Sequence, residues 1–144
     1  RTVHESSLSA CTYSIVASEI GYRRKAFELH NRASKLDLND FNNNTIRGLH
    51  VTSMGGTWMS IVEGFGGFRI TGESVIFNPY IPKNWKSLSF KVEVRRRKFL
   101  IFISHNEVNI KQKSGDEIEI IVYGRKYAIS QNRELKVRVP SNNC

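Results

Sequence analysis

The hydrophobic pattern changes period once, at Gly64-Phe65-Gly66-Gly67, and that switch sets the chain two consecutive packing problems. Before it, apolar residues return every three or four positions, as on one face of a helix; after it, they alternate with polar residues over short runs, as on a sheet with one buried side. Three helices are expected in the first part. One covers about residues 7–20, with Leu8, Cys11, Ile15 and Val16 facing inward and Gly21 as its C-terminal cap. A second covers 22–36, where Ala26, Leu29, Ala33 and Leu36 repeat at helical spacing. A polar loop follows over 37–48, rich in turn-prone asparagine at Asn42-Asn43-Asn44. The third helix starts near Ser53 and carries Trp58, Met59, Ile61 and Val62.

Eight strands are expected beyond the glycines, at 68–71, 74–78, 88–95, 99–104, 108–112, 118–123, 126–129 and 135–139, separated by turn signals such as Thr71-Gly72-Glu73, His105-Asn106 and Ser114-Gly115-Asp116. Short strands at this spacing, with no helix between them to carry a parallel crossover, predict an antiparallel sandwich or jelly roll. The stretch from Pro79 through Pro82 to Trp85 reads as a crossing from one sheet to the other. The expected division is 1–66 and 67–144.

Composition removes several classes. With 144 residues and 40% hydrophobic content the chain can close a globular core. No apolar run approaches a membrane span, and the N-terminus lacks the layout of a signal peptide. It opens on Arg1 and enters a helical pattern within a few residues, as a cut from a longer polypeptide would. Cys11 lies in the first helix and Cys144 at the end, so neither a disulfide framework nor a metal site is expected, and a reducing, cytoplasmic setting is. The net charge of +9 raises nucleic acid as a partner. Nearly all of the excess follows residue 64, at alternating strand positions such as Lys91, Lys111, Lys136 and Arg138, with one cluster at Arg95-Arg96-Arg97-Lys98. Such alternation describes the solvated face of a sheet, and Phe90, Phe99 and Phe102 fall in the apolar sets instead of interleaving with the basic residues. No nucleic-acid partner is expected.

Two motifs carry chemistry: His4-Glu5-Ser6-Ser7-Leu8-Ser9 and His50-Val51-Thr52-Ser53-Met54-Gly55-Gly56-Thr57. Each places a histidine and hydroxyls where a helical pattern begins, and a helix start offers N–H donors and the positive end of the peptide dipole to an anion. Ordinary capping uses the same residues. Gly55 and Gly56 cost helix propensity and are useful where a backbone or a ligand must come close.

Taken with Ala17-Ser18-Glu19-Ile20-Gly21, Leu36-Asp37-Leu38, Gly48-Leu49-His50, Gly64-Phe65-Gly66-Gly67 and Phe77-Asn78-Pro79 through Trp85 to Phe90, these motifs resemble the C-terminal portion of glycoside hydrolase family 65, across nearly the whole chain. The resemblance implies an α+β chain: the last helices of an (α/α)6 barrel followed by a small antiparallel β-sandwich, jelly-roll-like, as the C-terminal domain. The family's disaccharide phosphorylases attack an α-linked disaccharide with inorganic phosphate, invert the anomeric carbon and release a β-sugar 1-phosphate. Phosphate replaces the water of an inverting hydrolase, so only one carboxylic acid is needed.

Carried onto this chain, the resemblance makes Ser6, Ser7, His50, Thr52, Ser53, Gly55 and Gly56 the phosphate cradle and puts His4 and Glu5 near the sugar. The general acid lies upstream, so no catalytic residue is expected in this chain and, alone, it should be inactive. Inorganic phosphate is a co-substrate, and no other cofactor or metal is implied. The partners implied are the disaccharide, phosphate and the rest of the parent polypeptide, with a homodimer as a further expectation; apolar surface should be exposed along the helices where the barrel is missing. Two departures stand out. Ile46-Arg47 occupies positions that are acidic in many relatives, and Arg95-Arg96-Arg97 replaces an Arg-Gly turn. A hydrolase of the same family, or a non-catalytic β-sandwich binding glycan or protein through a Tyr80 and Trp85 platform, are the competing readings.

Overall fold

In the computed structural model, residues 9–40 and 45–141 are described, and the chain divides into two compact units, Arg1–Phe65 and Gly66–Cys144. The first contains α1 (Ser9–Glu19), α2 (Arg23–Ser34) and α3 (Val51–Met59), the last running on into a wider π turn over Ser60–Phe65. Gly21 ends α1 at φ 82°, with Tyr22 N–H on the Ala17 carbonyl at 2.7 Å and Gly21 N–H on that of Ser18 at 3.2 Å. This is the Schellman pattern that the glycine implied.

The inward faces differ from the expected ones. On α1 the buried residues are Cys11, Ser14 and Ala17, while Val16 is exposed; on α3 Ser53 and Gly56 are buried, while Trp58 and Met59 are exposed. Close approach of the helices explains the reversal, because only small side chains fit and their hydroxyls must find partners. Ser14 Oγ donates to the Ala26 carbonyl at 2.8 Å and Ser53 Oγ to that of Ala33 at 3.3 Å, each such bond worth about 1 kcal/mol. A Cβ on Gly64 would lie 3.2 Å from Ser18 Oγ and 3.8 Å from Ile15 Cα, so this contact too depends on a missing side chain. Several large apolar residues lie on the outer faces, Tyr13 and Val16 on α1, Ile20 just after it, and Val51, Met54 and Trp58 on α3.

His30 sits among these contacts at 5% exposure, its ring edge-on to Phe65 at 5.1 Å. Ser60 Oγ donates to the Thr57 carbonyl at 2.7 Å, so its one proton is spent and it accepts from His30 Nδ1–H at 2.8 Å. Burial pushes His30 below the ordinary histidine value of 6.5. Over the window from 6.5 down to that lowered value, the unfolded chain binds a proton that the folded chain refuses, and stability falls as pH drops. Urea unfolding at about pH 7.5 and about pH 5.5 is expected to show this loss, and His30→Gln to reduce it. An equal loss in the variant would assign the pH dependence to other groups.

The second unit forms eight strands: β1 (Phe68–Thr71), β2 (Ser74–Phe77), β3 (Ser87–Val94), β4 (Arg97–Ser104), β5 (Glu107–Ser114), β6 (Ile118–Val122), β7 (Arg125–Ile129) and β8 (Glu134–Arg138). They make two four-stranded sheets, in the orders β1-β2-β6-β7 and β3-β4-β5-β8. The core lies between them, with Phe77 of one sheet against Phe99 of the other at 6.5 Å between ring centroids. Val75, Ile101, Ile103, Ile110 and Ile120 are fully buried, and each contributes about 1.5–3 kcal/mol of transfer energy. The Pro79–Pro82 stretch crosses between the sheets, since β2 and β3 belong to different ones. It buries Tyr80, and Trp85 is half-buried with its carbonyl 2.8 Å from His105 Nε2, so the two rings form no flat exposed platform.

One pairing departs from the antiparallel expectation: β2 runs parallel to β6, with Ile76 opposite Ile121. That expectation rested on a parallel crossover needing a helix. Here the meander β3-β4-β5 in the opposite sheet serves as the crossover. Gln112 continues the inward set of Val108 and Ile110 on β5 as a polar residue, fully buried, with Nε2 donating to the Gly115 and Asp116 carbonyls at 2.8 Å each. At the basic turn, Arg95 and Arg96 take φ 50° and 64°, the left-handed pair a tight two-residue hairpin demands. Arg95 gains in return hydrogen bonds to the Gly72 and Glu73 carbonyls at 2.7 and 2.8 Å.

Candidate functional site

His4, Glu5, Ser6 and Ser7 lie outside the described residues, so the geometry of the candidate site begins at His50. This residue occupies the position just before α3, with φ −82° and ψ 72°, and makes no side-chain cap to the helix. Its partner is Asp37, which follows α2. Asp37 Oδ2 accepts His50 backbone N–H at 2.9 Å and Oδ1 accepts Nδ1–H at 2.5 Å, so one carboxylate holds both the main chain and the ring. The ring hydrogen bond holds the Asp37 carboxyl below its usual 3.8, against the opposing effect of burial and with help from the backbone bond. Nearby, Asp40 Oδ1 accepts Thr45 N–H at 3.1 Å and Gly48 N–H reaches the Thr45 carbonyl at 3.0 Å, which shapes the chain leading up to His50.

The other sequence-derived residues separate into two groups. Thr52 and Gly55 are exposed on α3, and a Cβ at Gly55 would meet nothing within 4 Å, so the surface there is open. Ser53 and Gly56 face α2: the Ser53 hydroxyl is spent on Ala33, and Gly56 is buried on the same stripe as Ser53 and Ser60. The first-turn amides are also partly committed, with Val51 N–H on the Leu49 carbonyl and Ser53 and Met54 N–H on that of His50. An anion at this helix start therefore depends on the His50 ring and the exposed Thr52 side more than on a bare row of N–H donors. Asp37 was missed as a site residue. It stood in the Leu36-Asp37-Leu38 motif of the family resemblance and as an acid directly after an apolar helical stripe, but nothing in a spacing of thirteen residues announces a contact with His50.

Beside this pair runs a groove of about 430 Å³ between the end of α2 and α3, lined by Ala33, Leu38, Leu49 and Met54 together with the hydroxyl residues Ser34, Ser53 and Thr57, with Asp37 as the one charged residue among the described lining. Among the described residues, no group of three or more histidine, cysteine or acidic side chains could hold a metal ion, and no helix is long and apolar enough to cross a membrane.

A helical unit that leaves large apolar residues of α1 and α3 exposed, joined to a two-sheet unit, is the frame that carries this candidate site. The chain belongs to glycosyl hydrolase family 65: the model of that family's central catalytic domain matches residues 1–59, and that of its C-terminal domain matches residues 68–129. It is 38% identical to an α,α-trehalose phosphorylase of Geobacillus stearothermophilus over 94% of this chain and 18% of that protein. It is 40% identical to a maltose phosphorylase of Bacillus subtilis over 85% of this chain and 16% of that one. A solved structure of a human-microbiome protein, provisionally titled a kojibiose phosphorylase, matches 99% of this chain and 21% of its own, with a TM-score of 0.90 at 37% identity. The chain thus spans less than a fifth of the length of these curated relatives.

Proposed function

We propose that the protein to which this chain belongs is an inverting disaccharide phosphorylase, cleaving an α-glucosidic disaccharide with inorganic phosphate to give β-glucose 1-phosphate and a free sugar. The observation that carries this reading is the family membership together with relatives named trehalose, maltose and kojibiose phosphorylase. In this reading the chain supplies the phosphate-holding part of the site. His50 directs a ring nitrogen at phosphate, Thr52 adds a hydroxyl, Gly55 leaves room for the anion, and Ser6 and Ser7 complete the cradle from the preceding helix start. Ser53 and Gly56 serve the packing of α3 on α2, while His4 and Glu5 stay on the sugar side. The general acid comes from upstream, so the chain alone is inactive. Inorganic phosphate is the co-substrate, with no other cofactor, and the setting is the cytoplasm.

A product assay on the intact protein tests this. Trehalose, maltose, kojibiose and nigerose are supplied with and without phosphate. Sugar 1-phosphate is expected only with phosphate, and from one preferred disaccharide. Free glucose released without phosphate would make the protein a hydrolase.

A further inference from the structure

Both oxygens of Asp37 are used on a single residue, and that is more than a helix start requires. A carboxylate capping α3 would need only the backbone bond to His50; the second bond, to Nδ1, constrains the ring. We infer that Asp37 is the positioning residue of His50: its carboxylate keeps the ring proton on Nδ1 and turns Nε2 toward the bound phosphate. This rests on the phosphorylase reading above.

An ionised carboxylate only accepts, so the nitrogen facing it must carry hydrogen. In the neutral ring that leaves Nε2, on the far edge, with the lone pair. The two bonds come from the main chain and the side chain of the same residue, so any turn of the ring about its own bonds breaks the second one. Asp37 is mostly shielded, at 12% side-chain exposure, and His50 is at 21%, so water competes weakly for the contact. Among the described residues lining the groove beside Asp37, that carboxylate is the one charged group, and it repels an anion there. The far edge of the ring is where phosphate belongs. There Nε2 takes the proton of dihydrogen phosphate, giving imidazolium and hydrogen phosphate, or as imidazolium it donates to hydrogen phosphate. One proton is shared along the same line in either case, and its geometry is set by Asp37.

The test uses the full-length protein with ¹⁵N-labelled histidine and four variants: Asp37→Asn, Asp37→Glu, His50→Gln and the double variant that combines Asp37→Asn with His50→Gln. Nitrogen shifts of neutral His50 are expected to report the Nδ1–H form in the parent and its loss in Asp37→Asn, whose amide can face Nδ1 with N–H. Asp37→Asn is expected to raise the KM for phosphate on the order of 10- to 100-fold, the size seen when a carboxylate orienting a histidine ligand is removed. The KM for disaccharide should stay near the parent's, Asp37→Glu should recover part of the loss, and the double variant should be no worse than His50→Gln. An Nε2–H ring in the parent overturns the inference without any variant. So does an equal rise in both KM values, the mark of a general structural lesion. If the ring proton moves as expected while neither Asp37→Asn nor His50→Gln changes the phosphate KM, the clamp exists but the phosphate reading of His50 fails, and the role inferred here fails with it.

Discussion

A Gly67→Ala variant will lose about 3 kcal/mol or more of stability, a large fraction of the roughly 5–15 kcal/mol that keeps a domain folded. Gly67 sits at φ 57°, and a Cβ there would lie 2.2 Å from the Asn78 carbonyl oxygen and 2.8 Å from Asn78 N. The close approach is itself held by a hydrogen bond, Asn78 N–H to the Gly67 carbonyl at 3.1 Å, at the end of the β1-β2 pair. Neither side can retreat cheaply, because both atoms belong to the backbone. Gly72→Ala is the matched control. It shares a positive φ, 56°, but its Cβ would meet nothing within 4 Å, so only the backbone cost of about 1–2 kcal/mol applies. Urea midpoints followed by circular dichroism separate the two. Equal losses would mean that Asn78 yields and that left-handed geometry, not the contact, sets the cost.

The second large effect falls on activity. His50→Ala in the intact protein is expected to lower kcat/KM for phosphate by about 10- to 150-fold, corresponding to the roughly 1.5–3 kcal/mol typical of a charge-assisted hydrogen bond. Folding should survive, since the ring is part-exposed and α3 is held through Ser53 and Ser60 on the opposite stripe. Initial rates at limiting phosphate, with disaccharide saturating, measure the effect. Unchanged rates there would remove His50 from the phosphate site.

Periodicity located the elements well because strands and helices impose repeats that a sequence must obey. All eight strands appear where alternation put them, and Gly21 and the Gly64–Gly67 run end and separate elements as their backbone freedom implies. Facing was less legible. On α1 Cys11 faces inward as its pattern implied, but Ser14, and on α3 Ser53 and Gly56, are also inside although hydrophobicity ranks them as outward; their burial follows from distance between helices and from carbonyls that need donors. Gln112 is inside for the same kind of reason, as a donor to turn carbonyls. The candidate site was legible in half. His50 announces itself by type and position, but the carboxylate that orients it lies across a loop, and pairings across loops leave no period.

The parallel contact of β2 with β6 has a consequence for the order in which the β unit comes together. The strands β3, β4 and β5 pair with their chain neighbours and can zip up as soon as each turn forms. β2 cannot finish its own sheet until Val75 meets Ile120, with that entire meander looped out between them. Closing so long a loop costs entropy before any pairing repays it, which makes this seam late to form and the first to open. The β1-β2 hairpin therefore waits with one edge bare during folding, and that bare edge is the interval in which the chain is most exposed to pairing with another copy of itself.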